Sequence, residues 1–116
     1  MKKIDLSALP VVTGTGYPPP HDKPCQGRMR QRLGEAGDLT QFGVNRLTLP
    51  PGAWSSQRHW HTHEDEFVWV VQGEVVLEVG GRDMARDACD YPDIDMIARP
   101  GEDFYRRRDG TAYGDV

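Results

Sequence analysis

The sequence lacks any apolar run long enough to cross a membrane, and no apolar segment of a secretory signal follows Met1-Lys2-Lys3. A membrane partner is therefore not expected, and the expected location is cytoplasmic. Cysteine is scarce: Cys25 and Cys89 stand far apart with no CxxC spacing, so both are read as free thiols. Positive charge is not in excess either. With 14 Lys and Arg against 18 Asp and Glu, the net charge of −4 argues against nucleic acid as the main partner. Internal repeats and low-complexity linkers are absent. What remains is 116 residues with 37% hydrophobic side chains and 13 Gly. That describes one ordinary globular domain, not a disordered chain.

Along this single domain, residues 1–40 read as an N-terminal arm, 41–80 as a set of strands, and 81–116 as an irregular tail. Thr13-Gly14-Thr15-Gly16-Tyr17-Pro18-Pro19-Pro20 cannot be a helix interior. Gly14 and Gly16 do not make a phosphate-binding turn, because prolines follow them and no strand-then-helix context surrounds them. Arg28, Arg30 and Arg32 read as a solvated edge. Strands are expected at 42–49, 56–61, 66–71 and 74–79, joined in an antiparallel meander. In the first, apolar positions change face, which suggests a bulge or burial on both sides. Glu66 to Val71 is the strongest strand signal, and Gln72-Gly73 suits a two-residue hairpin turn. In the tail, one short strand is expected near 95–98. The fold class is all-β with little helix.

Chemistry concentrates in Arg58-His59-Trp60-His61-Thr62-His63-Glu64-Asp65-Glu66. Side chains two apart on a strand share a face, so His59 and His61 can aim two imidazoles at one point. Glu66 has the wrong parity for the same strand and needs a corner within 62–65 to rejoin that face. Two imidazoles and a carboxylate form a facial set that suits Fe, Mn, Ni or Zn and leaves positions open for substrate. His63 reads as a surface residue, and Trp60 and Trp69 as packing residues. The plainer alternative is that the three histidines and their acidic neighbours form an exposed polar turn.

The stretch from Gly52 to Gly73 resembles the first motif of the cupin superfamily, with Gly52, His59, His61, Glu66 and Gly73 at its positions. Wording around it, and the Tyr91-Pro92-Asp93-Ile94-Asp95 and Arg108 to Tyr113 segments, is similar to small single-domain bacterial cupins. The resemblance implies a jelly roll, metal ligands at His59, His61 and Glu66, a small-molecule ligand and a homodimer. One feature departs from the family pattern. The second motif, which supplies a fourth histidine ligand, is missing: the chain has no histidine after His63, and Arg99-Pro100-Gly101 is followed by none. An incomplete barrel with open sheet edges and a three-ligand metal site is therefore expected.

Three functions fit this reading. The first is a metal-dependent enzyme on a small polar molecule, of isomerase, epimerase or dioxygenase type. The second is a non-enzymatic ligand- or metal-binding sensor or storage module. The third is a degenerate copy with no working site. Fold alone does not choose among them.

Overall fold

Among the described residues of the computed structural model every strand pair is antiparallel, and helix is limited to short turns. The structure describes residues 3–61, 63–78, 89–91, 93–94, 96–98 and 105–113. The chain divides into two compact units, Met1–Ser56 and Gln57–Val116.

In the first unit, strands β1 (Val12–Thr13), β2 (Met29–Arg32) and β3 (Asn45–Thr48) form a sheet in that order. Arg30 pairs with Val12 on one side and Leu47 on the other. Alternation along β2 turns Gln31 inward, where it is buried. A buried amide needs partners. Gln31 donates to the Leu6 carbonyl at 2.8 Å and accepts from Arg46 Nη1 at 3.2 Å. That contact holds the turn Leu6–Ala8, whose cap Asp5 accepts from the Ser7 N–H and hydroxyl. Helix α1 (Leu33–Ala36) follows β2 directly. Its Gly34 is buried and donates to the Val44 carbonyl at 2.8 Å, and an added Cβ would lie 2.9 Å from the Val44 nitrogen. Only a residue without a side chain lets the backbone before β3 approach this closely. Cys25 is fully buried as a free thiol, and desolvation pushes it above its ordinary pKa.

Two strands of this sheet lie in the stretch that sequence patterning leaves as an arm, because β1 is only two residues long and β2 is short and largely polar. The strand expected at 42–49 is realised only at Asn45–Thr48. All four of its residues are exposed, so neither a bulge nor two-sided burial occurs there. Arg28 also departs from the solvated-edge reading. It is half-buried and donates to the carbonyls of Gly14 and Ser55 at 3.2 and 2.8 Å.

In the second unit, β4 (Cys89–Tyr91) and β5 (Met96–Ala98) form a hairpin in which Tyr91 faces Met96. Both side chains are buried and make the local core. The Ile94 N–H closes the turn onto the Tyr91 carbonyl at 3.2 Å. Here β5 matches the short strand expected near 95–98, and β4 is the partner that sequence patterning did not mark. Further on, Arg106 bridges Ala112 around Gly110, whose φ of 92° favours glycine. Asp109 accepts from the Thr111 N–H and hydroxyl, which holds its carboxyl below the usual range.

The strands expected at 56–61, 66–71 and 74–79 are not formed among the described residues. Position 60 carries an isolated bridge, and residues 63–78 have no ladder, with bends only at His63 and at Gln72-Gly73. Phe67, Val71 and Val76 are 88%, 90% and 92% exposed. Strand propensity becomes a strand only where a neighbour supplies backbone partners and apolar cover. No described residue does so here. Residues 79–88 and Arg99-Pro100-Gly101 lie outside the described set. The fold is thus mostly β with little helix, and no closed barrel forms among the described residues. No described helix is long and apolar enough to cross a membrane.

Candidate metal centre

Backbone without a ladder at 57–61 and 63–66 carries His59, His61 and Glu66, which come together. One ligand atom from each lies within 4.8 Å of the others. The His59 and His61 rings meet edge to face with centroids 5.0 Å apart. Their convergence does not come from a shared sheet face, because the segment is not a ladder strand. A local feature at each histidine orients it instead.

His59 Nδ1 lies 2.8 Å from the Gln57 carbonyl oxygen. A carbonyl can only accept, so Nδ1 carries the proton, and in the neutral ring Nε2 is the lone-pair nitrogen. His61 Nδ1 lies 3.5 Å from Glu64 Oε2. Both Nε2 atoms then face Glu66: Oε1 is 3.0 Å from His61 Nε2 and 4.0 Å from His59 Nε2. The imidazoles are mostly shielded, at 16% and 17% side-chain exposure, whereas Glu66 is 60% exposed. Glu66 therefore does not rejoin a strand face shared with His59 and His61 as the sequence suggested. The strand that would have carried it inward is not formed. His63 is exposed and lies outside the cluster.

Donors bonded about 2.0–2.2 Å from one ion are separated by roughly 3–4 Å, depending on the angle between them. The 3.0 and 4.0 Å separations fall at the two ends of that range, and the shorter one is also a hydrogen bond between His61 Nε2 and Glu66 Oε1. Two imidazole nitrogens and one carboxylate are also the donor types that a divalent transition metal takes. The residues present fit such an ion.

Behind His59 lies a layer that sequence spacing did not reveal. Tyr91 is buried and its ring centroid sits 5.1 Å from that of His59. Arg58 donates from Nε and Nη2 to the two oxygens of Asp93 at 2.9 and 2.7 Å. These hydrogen bonds hold the Asp93 carboxyl below its ordinary pKa and raise that of Arg58. The 91–95 segment is noticeable in the sequence only as part of a resemblance. Nothing in it signals contact with a histidine more than thirty residues earlier.

Residues 45–88 match the family model of the cupin domain. The match spans all five motif positions from Gly52 to Gly73 and stops before β4. Searches among curated proteins and among solved structures find no match to the chain.

Proposed function

We propose that this chain, a cupin-superfamily protein, holds a divalent transition metal at His59, His61 and Glu66 and there binds a small polar molecule. The observation that carries the reading is the convergence of two Nε2 atoms on Glu66 Oε1, with each Nδ1 directed at an oxygen on its far side. His59 offers its lone pair because Gln57 fixes its tautomer. Glu64 stands where it can orient His61 and increase its donor strength. Glu66 serves as a ligand and not as a base. Three protein donors leave positions for an incoming oxygen ligand. A bound Fe, Mn, Ni or Zn ion would supply Lewis-acid polarisation of that ligand. We further propose that the protein acts as a homodimer in the cytoplasm.

Elemental analysis of the purified protein, followed by metal titration of variants, tests this reading. His61→Ala should weaken binding by more than the roughly 10–100-fold that loss of an outer-shell partner costs. His63→Ala should leave affinity nearly unchanged. Uptake should also fall as pH is lowered, because a protonated imidazole has no lone pair to donate. If His63→Ala loses the metal while His59→Ala keeps it, the ligand set is shifted by one His-x-His step. If the parent binds no metal, the site is not a metal centre. Assays for isomerase, epimerase and dioxygenase activity on small polar substrates would then separate catalysis from binding alone.

A further inference from the structure

We infer that the turn from Tyr91 to Ile94 is the positioning element of His59, acting through two contacts that grip the histidine from behind. This deepens the metal-site reading and rests on it for its consequence, though the positioning itself is measurable without metal. The first contact is the paired hydrogen bond between Arg58 and Asp93, at 2.9 and 2.7 Å. Two parallel N–H···O bonds fix the guanidinium in plane as well as in distance. Arg58 immediately precedes His59, so the grip restrains the backbone that launches the imidazole. The second contact is the tilted stacking of Tyr91 on the His59 ring, with 5.1 Å between centroids and 35° between planes. Tyr91 is itself held, with its ring edge to face against Tyr105 at 6.0 Å and its carbonyl accepting from Arg108 at 2.9 Å.

These contacts matter because the segment that carries His59 has, among the described residues, only an isolated bridge at position 60 and no ladder. A strand would set the direction of a side chain through its backbone pairing. Without one, the ring's direction depends on what packs against it. On one side the Gln57 carbonyl holds Nδ1 at 2.8 Å. On the other, Tyr91 limits rotation of the ring. Asp93 and Tyr91 come from one turn, closed by the Ile94 N–H on the Tyr91 carbonyl at 3.2 Å. One small element thus restrains both the backbone and the ring of His59. Neither Tyr91 nor Asp93 belongs to the donor set, so both are positioning residues.

The experiment compares Asp93→Asn, Asp93→Glu, Tyr91→Leu and Tyr91→Phe with the parent by long-range ¹H–¹⁵N spectra of the imidazoles, without metal. The His59 signals are assigned by their loss in His59→Gln. In the parent, His59 should show the single Nδ1–H tautomer and an upfield ring shift from Tyr91. Asp93→Asn and Tyr91→Leu should move its nitrogens toward tautomer averaging, while His61 changes little. Tyr91→Phe keeps the ring and should behave like the parent, and Asp93→Glu should restore most of the ordering. Cobalt(II) affinity should drop about tenfold in the two disruptive variants, with an altered visible absorption band and one site per chain retained. Asp93 is exposed, so its variants report even if Tyr91→Leu does not fold. Unchanged His59 spectra in a folded Asp93→Asn overturn the inference. A parent that binds no cobalt but shows the expected His59 changes overturns the metal reading and leaves the positioning intact.

Discussion

At the residue scale, a few side chains define what the surrounding backbone can do. Arg58 and Asp93 are both solvent-accessible, so their pairing serves geometry more than stability. Its sign with pH is fixed by the lowered Asp93 pKa, caused first by the Arg58 hydrogen bond. A depressed carboxyl means that the ionised form is favoured in the fold. Its contribution is complete above the ordinary Asp value and is lost as pH falls through the lower folded value. The ¹³C titration of the Asp93 carboxyl should therefore have its midpoint below that of a free aspartate and return to the ordinary value in Arg58→Gln. A midpoint that Arg58→Gln does not move would mean that the pair does not form in solution.

At the element scale, β2, α1 and the backbone entering β3 are joined through Gly34. A methyl group there would meet the Val44 nitrogen at 2.9 Å, and that atom belongs to backbone that cannot swing aside. Gly34→Ala should destabilise the fold by about 1–3 kcal/mol, read from urea or thermal melting. Gly43, in the backbone before β3 that Gly34 approaches, offers a control, since an added Cβ there meets nothing within 4 Å. Gly43→Ala should change stability by no more than about 0.5 kcal/mol. Equal losses at both positions would mean that backbone freedom, and not contact, decides the cost.

At the scale of the whole molecule, the segment after the candidate site carries the most exposed large apolar side chains among the described residues. Phe67, Val68, Trp69, Val71, Val76 and Leu77 are all at least 70% exposed on backbone without a ladder. Exposed apolar surface of this kind, with strand-forming residues and open backbone groups, favours association. Sedimentation at micromolar concentration should show a dimer. Trp69→Lys combined with Val71→Lys should shift it toward monomer, because two charges would have to be buried. A compact monomer in the parent would show that the shortened chain satisfies this segment by itself.

The sequence by itself determined the fold class, mostly β with little helix, through its lack of helical periodicity and its punctuation by Gly and Pro, although the described strands lie outside its strongest β-branched runs. It also determined which residues could ligate, because two His two apart and a Glu five further on keep any meeting point local. Such a cluster spans only Gln57 to Glu66, so short-range geometry suffices to form it. Pairing was decided only by tertiary structure. The apolar run at 66–71 has the propensity for a strand but has no ladder partner among the described residues, while polar Met29–Arg32 became a central strand because two neighbours flank it. The same holds for Tyr91 and Asp93. Their contact with the His59 segment depends on how the β4–β5 hairpin folds back, and a distance closed by folding leaves no mark on local spacing.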